Sequence, residues 1–108
     1  MTKRFMCRQG DVLVQAVDAI PGDAVEQKRD DGKRIVLAYG EVTGHAHAIL
    51  DRHATLKQTA AGRVFLQILD EAASLVHEEH TAIKLPPGNY EVLRQREYSP
   101  EQIRQVAD

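Results

Sequence analysis

The chain has 108 residues, the size of one domain with a single modest core. Its 14 lysines and arginines and 16 aspartates and glutamates give a formal net charge of -2, so it lacks the basic character of nucleic-acid-binding proteins. Cys7 is the only cysteine, which excludes an internal disulfide and a thiolate zinc site, and no run reaches the ~18 apolar residues of a membrane span. We therefore predict one soluble, cytoplasmic domain over residues 1–108, with neither nucleic acid nor membrane as a partner.

Short runs rich in β-branched and aromatic residues recur along the chain, separated by turn signals. Residues 21–34 instead combine Pro, two Gly and many charges, which predicts an exposed loop or hairpin arm tolerant of substitution or insertion. Six or seven short strands predict a mainly β fold, a small single-domain β-barrel or sandwich. In chain order the predicted strands are residues 12–17, 35–39, 45–50, 54–59, 63–69, 74–77 and 90–95.

The C-terminus has a different pattern. Ser99, Pro100 and Gln102 stand at the cap, first-turn and capping-box positions of a helix start. We therefore predict a short C-terminal helix over about residues 99–107. Such a helix is marginal by itself and is expected to pack on the β domain or on a partner.

Four of the five histidines occur in two short stretches, GHAH at residues 44–47 and HEEH at residues 77–80. In an extended strand, residues two apart point to the same face, so His45 and His47 should present their rings together. His77 and His80 are three apart and share a face only across a tight turn, a bulge or a helical turn. This spacing predicts that HEEH lies at the end of a strand.

Neutral imidazole is a common protein ligand for zinc, and it also binds iron and nickel. Two histidine pairs on neighbouring strands would therefore form a site for one of these divalent metals, which is the predicted cofactor. Carboxylates near the pairs could add ligands, orient a ring or act as a general base, with Glu78 and Glu79 as the candidate catalytic groups. The metal ligands predicted from this spacing are His45, His47, His77, His80 and Asp51, with Glu79 also in support.

A simpler interpretation stays open beside the metal site. Histidines on an exposed strand face can be merely solvated, and Glu78 and Glu79 would then be charges that keep a sheet edge soluble. His53 has no partner pattern and is predicted to be a surface residue.

Part of the pattern resembles the cupin superfamily. Gly40, the HxH pair at His45 and His47, and Asp51 resemble its first motif, and the PxG turn at 86–88 resembles its second, where Glu91 stands at the histidine position. The resemblance implies a cupin-like β-barrel with a metal held by the motif side chains. The phrases GEVTGHAH and LPPGNYEVLRQREYSPEQIR are also similar to small bacterial or phage proteins of unknown function.

The leading hypothesis is a metal-binding β-barrel protein that activates water or oxygen for a small-molecule substrate. The alternative is a non-enzymatic interaction or regulatory module, in which the segment QREYSPEQIRQVAD recognises a protein partner or a second copy of the chain. A third hypothesis is metal-free phosphodiester cleavage by a histidine pair, with Arg52, Lys84 or Arg94 at the phosphate. The sequence predicts no particular reaction or substrate.

Overall fold

The computed structural model describes residues 5–30, 33–39 and 45–94, and the regular structure within them is entirely β. The strands are β1 (Met6–Gln9), β2 (Val12–Val17), β3 (Val25–Glu26), β4 (Ile35–Tyr39), β5 (Ala46–Ile49), β6 (Ala54–Gln58), β7 (Val64–Ile68), β8 (Ala73–His77), β9 (His80–Leu85) and β10 (Gly88–Arg94). Within those ranges, no helix is long and apolar enough to cross a bilayer. The predicted C-terminal helix at 99–107 lies outside the described residues.

The strands form two antiparallel sheets. One has six strands in the order β1-β2-β10-β7-β6-β3, and the other has four in the order β4-β5-β8-β9. The described strands do not close into a barrel, so the mainly β prediction is confirmed in its sandwich form and the barrel form is wrong. The core lies between the sheets, where every second residue of a strand points inward.

Strand β2 shows how this alternation builds the core. Val12 and Val14 are fully buried, whereas Leu13 between them and Gln15 after them are not. Ile49, Leu75 and Tyr90 bring the same inward positions of β5, β8 and β10 to one continuous apolar cluster. Burial of such side chains stabilises each by about 1.5–3 kcal/mol, which makes this cluster the main source of stability.

The strand predictions succeed where the apolar pattern is strong. The predicted strands 12–17 and 35–39 match β2 and β4, and the other five overlap β5, β6, β7, β8 and β10. Strands β1, β3 and β9 were missed, because MCRQ, VE and HTAIKL carry no clear alternation of apolar and polar residues. They are strands because their neighbours supply the hydrogen-bonding partners.

Residues 21–30 and 33–34 are more firmly attached than a free loop. Strand β3 pairs with β6, and Arg29 donates hydrogen bonds to the carbonyls of Lys33, Leu50, Asp51 and Ala54. The guanidinium therefore fastens this arm to the segment that follows β5. The prediction of general tolerance to substitution does not extend to Arg29.

Replacing Arg29 by Ala should destabilise the protein by about 1–3 kcal/mol, because carbonyls that now share a charged donor lose it. Lys28→Ala, one residue earlier on an exposed position, is the matched control and should change stability by less than ~0.5 kcal/mol. Urea unfolding of both variants measures the difference. Equal stabilities would show that the arm contributes nothing to folding.

Candidate metal centre

Two hairpins and strand β5 bring the polar cluster together. The β8–β9 hairpin turns through Glu78 and Glu79, and His77 pairs directly with His80 across it. The HEEH stretch therefore spans a strand end, as its spacing predicts, and its two imidazoles are cross-strand neighbours. Strand β5 pairs with β8 on the other side, with Ala48 opposite Val76, so His45 and His47 arrive beside the hairpin.

Strand β5 divides its residues between two faces. His47 lies on the inner side with Ile49, a core residue, whereas Ala46 and Ala48 line a shallow cavity on the other side of the sheet. His47 is only 2% exposed. His45 precedes the strand and is half-buried at the rim.

The four rings form one continuous cluster with His77 at its centre. Ring centroids lie 4.3 Å apart for His47 and His77, 4.8 Å for His77 and His80, and 5.7 Å for His45 and His77. His47 and His80 are 5.8 Å apart. The two histidine stretches, which are distant in sequence, thus meet in space.

One part of the cluster has the spacing of a metal site. Single ligand atoms of His45, His77 and Glu78 all lie within 4.8 Å of one another. Two atoms bound to one tetrahedral zinc ion at ~2.1 Å are about 3.4 Å apart, so each of the three atoms would have to move by somewhat less than an ångström to reach one ion. Nδ1 of His45 is buried without a hydrogen-bond partner in the described structure, which leaves it free to bind.

Glu78 occupies an unusual position between β5 and β8. Its Oε1 accepts a hydrogen bond from the backbone N–H of Ala46 at 2.9 Å, where a continuing sheet would supply a backbone carbonyl. That hydrogen bond, then the amide of Glu78 itself and the nearby rings of His45 and His77, hold the pKa of the carboxyl below its usual value. Glu78 is therefore an ionised carboxylate beside two imidazoles at neutral pH.

The buried side-chain amide of Gln9 hydrogen-bonds to the ring of His47. Its Nδ1 lies 2.9 Å from Oε1 of Gln9, and Gln9 is also only 2% exposed. The amide nitrogen of Gln9 donates to the carbonyls of Leu75 and Thr81, at 3.1 and 3.0 Å. Strand β1 is thereby joined to β5, β8 and β9 at the cluster.

Asp11 and Arg94 lie next to the buried ring. Nε2 of His47 is 3.8 Å from Oδ1 of Asp11, whose Oδ2 is 3.2 Å from the Arg94 guanidinium. Burial is the main cause that lowers the pKa of His47, and the charges of His77, His80 and Arg94 add to it, whereas Asp11 opposes it. His47 is therefore neutral at neutral pH and keeps a lone pair.

Gly10 allows this close packing. A Cβ at this position would lie 3.0 Å from Nε2 of His80 and 3.1 Å from Cε1 of His47, and the φ angle is +58°. It forms the two-residue β1–β2 turn with Asp11, in which a positive φ at the first position favours glycine. The absence of a side chain here gives the two rings their space.

Other predicted site residues lie elsewhere or at the edge of the cluster. Asp51 accepts a hydrogen bond from the Ser74 amide, and Glu91 binds Arg63 through both carboxylate oxygens. Neither belongs to the group formed by His45, His77 and Glu78 in the described structure. Glu79, with a side chain 61% exposed, lies 3.9 Å from Nδ1 of His45.

His53 is separate from the cluster, but it is not fully exposed as predicted for a surface residue. It is half-buried, and its Nε2 donates to the carbonyl of Ala72 at 3.0 Å. This local structural role makes His53 a suitable control for tests of the other four histidines.

A cavity of about 290 Å³ borders the candidate ligands His77 and Glu78. Ala46, Ala48, Leu50 and Val76 give it apolar walls, and His77 and Glu78 stand at one side. Because β5 carries small residues at these outward positions, a small molecule has room beside the candidate ligands.

Gln9, Gly10 and Asp11 are the site residues that sequence reasoning missed. Their local sequence predicts a turn before the first predicted strand, and nothing in that pattern connects them with histidines far along the chain. Their role depends on β1 lying beside β9.

A family model described as a domain of unknown function, DUF8820, matches residues 8–95. This range contains all four clustered histidines together with Gln9 and Glu78. No curated protein and no solved structure matches the chain. The resemblance to cupins stays a prediction from motifs.

Replacing Gly10 by Ala should both destabilise the domain and disturb the cluster. The methyl group would press on His47 and His80, and alanine disfavours the positive φ, so we expect a loss of about 1–3 kcal/mol. Gly22→Ala, where an added Cβ meets nothing within 4 Å, is the matched control. Thermal unfolding gives the stabilities, and histidine ring NMR shifts that stay unchanged in Gly10→Ala would contradict the predicted crowding.

The metal-free protein should lose stability as the pH falls below about 6.5, the usual pKa of histidine in an unfolded chain. Below this pH the unfolded state takes up a proton at His47 that the folded state resists, because burial lowers the pKa of His47 in the folded state. The stability contribution is complete above about pH 6.5 and declines below it. Melting temperatures measured with a chelator from pH 7.5 to 5 test this, and His47→Gln should make the decline shallower.

Proposed function

The chain belongs to the DUF8820 family, and from its histidine cluster we propose that it binds one divalent transition-metal ion, namely zinc, iron or nickel. The ion would be held by His45, His77 and Glu78 at the end of the sandwich where β5 and the β8–β9 hairpin meet. The single observation that carries the proposal is the grouping of these three ligand atoms within 4.8 Å.

The spacing of the rings supports the same conclusion. Two imidazoles that share a tetrahedral ion through one nitrogen each have their centroids about 5 Å apart, given metal–nitrogen bonds of ~2.1 Å. The neighbouring pairs here span 4.3 to 5.8 Å. Histidines that are merely solvated on a surface are not expected to hold four rings at this spacing.

The charges around the rings also favour a cation. Protonated imidazoles this close would repel one another, whereas neutral ones direct lone pairs at a common ion. Glu78 is ionised, Glu79 lies beside His45, and Asp11 lies beside His47. Carboxylates therefore border the cluster and would offset the charge of a bound metal.

Binding through Nδ1 of His77 would require one local change. Its Nδ1 accepts a hydrogen bond from the backbone N–H of Glu79 at 3.0 Å. Ligation through Nδ1 would release this amide, which belongs to an exposed turn where water can replace the lost partner. The change is small because it concerns one peptide unit of the hairpin tip.

Three protein ligands leave a coordination position open, which is the arrangement of catalytic rather than structural zinc sites. A metal in such a site lowers the pKa of a bound water and can polarise a substrate oxygen. The neighbouring cavity between Ala46 and Leu50 would give a small-molecule substrate access. We therefore propose metal-assisted activation of water or oxygen as the reaction class.

Substitution of His77 should abolish stoichiometric metal binding, because His77 is the ring common to every close contact except that of His47 with His80. His77→Ala, loaded with zinc, iron(II) or nickel and then freed of excess metal, should contain almost none by elemental analysis. His53→Ala is the control and should retain the wild-type content. Full metal content in His77→Ala, or none in the wild type, would contradict the proposal and favour the interaction module.

The two adjacent glutamates provide a second comparison. Glu78→Gln removes the proposed carboxylate ligand and should weaken zinc binding by more than the ~10–100-fold typical of losing an outer-sphere partner. Glu79→Gln removes the same charge one residue away and should weaken it only a fewfold. Competition with a chromophoric chelator measures both affinities, and equal effects would show that only net charge matters.

A further inference from the structure

We propose that Gln9 is the positioning residue of the metal centre, and that it makes His47 a fourth ligand that binds through Nε2. This inference rests on the proposed function, which it extends from His45, His77 and Glu78 to the buried ring. With four protein ligands, a water or substrate oxygen would bind as a fifth ligand, which zinc, iron and nickel all accept. It concerns a residue on the six-stranded sheet acting on a site otherwise built from the four-stranded one.

The orientation of the Gln9 amide follows from its partners. Its nitrogen faces the carbonyls of Leu75 and Thr81, both of which can only accept hydrogen bonds. The amide group must therefore turn its NH₂ toward them and its oxygen toward His47. A flipped amide would set oxygen against two carbonyl oxygens inside a buried site, at a cost of about 1–3 kcal/mol for each unsatisfied group.

The amide oxygen in turn fixes the tautomer of His47. Oε1 of Gln9 can only accept, so Nδ1 of His47, 2.9 Å away, must carry the proton. In the neutral ring Nε2 then has the lone pair. Histidines that bind metal usually donate their other ring N–H to a carboxylate or carbonyl oxygen, which orients the ring and raises its basicity.

Nε2 of His47 is not among the three grouped ligand atoms, but its surroundings leave it available to an ion. His47 packs 4.3 Å from the ring of His77 by centroid distance, and Nε2 is 3.8 Å from the nearest oxygen of Asp11. That distance is too long for a direct hydrogen bond. The backbone of Gly10, without a Cβ, leaves the side of the ring that carries Nε2 uncrowded.

His45 and His77 lack such support. Nδ1 of His45 has no hydrogen-bond partner in the described structure, and Nδ1 of His77 accepts from an amide instead of donating. Among the clustered rings whose hydrogen bonds are described, His47 is thus the one already prepared as a ligand. A buried Gln with three hydrogen bonds keeps it in that state before any metal arrives.

The wild-type protein allows a direct test. In ¹⁵N-histidine-labelled, metal-free protein, long-range ¹H–¹⁵N spectra should show His47 as the Nδ1–H tautomer. After loading with ¹¹³Cd, a scalar coupling should connect the metal to Nε2 of His47 and not to its Nδ1. A metal-loaded protein without this coupling would overturn the ligand role, even if every variant failed to fold.

Two substitutions separate positioning from packing. Gln9→Met keeps a similar volume but removes the acceptor, so His47 should lose its single tautomer and zinc should bind about 10–100-fold more weakly. Gln9→Glu keeps an acceptor for the Nδ1–H and loses the donors to Leu75 and Thr81. It should therefore be less stable yet retain the tautomer and nearly the wild-type zinc affinity.

The outcomes distinguish the two proposals. Zinc binding by the wild type, with Gln9→Met unchanged in both tautomer and affinity, would overturn the role of Gln9 and leave the metal centre standing. Equal weakening in Gln9→Met and Gln9→Glu would show that Gln9 acts only through packing, which also overturns it. A wild type that binds no metal would overturn the proposed function itself, whatever the tautomer of His47.

Discussion

The buried amide of Gln9 is the interaction on which the polar end of this sandwich depends. It is the point where a side chain of the six-stranded sheet hydrogen-bonds to three strands of the four-stranded sheet at once. A buried amide in an apolar core is costly unless each group is satisfied, and here the nitrogen and the oxygen both are. The same three hydrogen bonds therefore align β1 with β8 and β9 and set the direction of the His47 ring.

The geometry of the cluster follows from this constraint and from two short turns. The Gly10–Asp11 turn brings a backbone without a side chain against two rings, and the Glu78–Glu79 turn makes His77 and His80 neighbours. Where β5 leaves β8, the carboxylate of Glu78 satisfies the Ala46 amide in place of a backbone carbonyl. The sheet thus opens into a site without leaving that backbone donor unpaired.

The charges near the cluster bear on the competing functions. Metal-free phosphodiester cleavage needs a cation directed at the phosphate, and Arg94 is the candidate that lies closest, but its guanidinium is paired with Asp11. The carboxylates of Asp11, Glu78 and Glu79 would repel an anionic substrate and attract a metal ion. The interaction module has its own support in the exposed side chains of Met6, Val25 and Tyr39. These lie on β1, β3 and β4, three strands that are not paired with one another.

The sequence by itself determined the elements that depend on local pattern. Runs rich in β-branched and apolar residues located β2 and β4 at their observed bounds, and the period of two put Ala46 and Ala48 on the face opposite His47. The three-residue spacing of HEEH predicted a strand end. These features follow from neighbours along the chain, which is why one sequence suffices for them.

Only the tertiary structure decided which side chains meet. The Ala46 amide and the Glu78 carboxylate are 32 residues apart, and Gln9 lies 38 residues from His47, so their contacts depend on the pairing order of the whole sheet. In the sequence, Asp51 and Glu91 look as suitable for binding a metal as Glu78 does. In the structure, Asp51 accepts a hydrogen bond from the Ser74 amide and Glu91 accepts one from Arg63. Strand order is chosen by the total apolar surface buried between two sheets, a quantity that no single stretch of sequence contains, and so the membership of the site was decided by the fold.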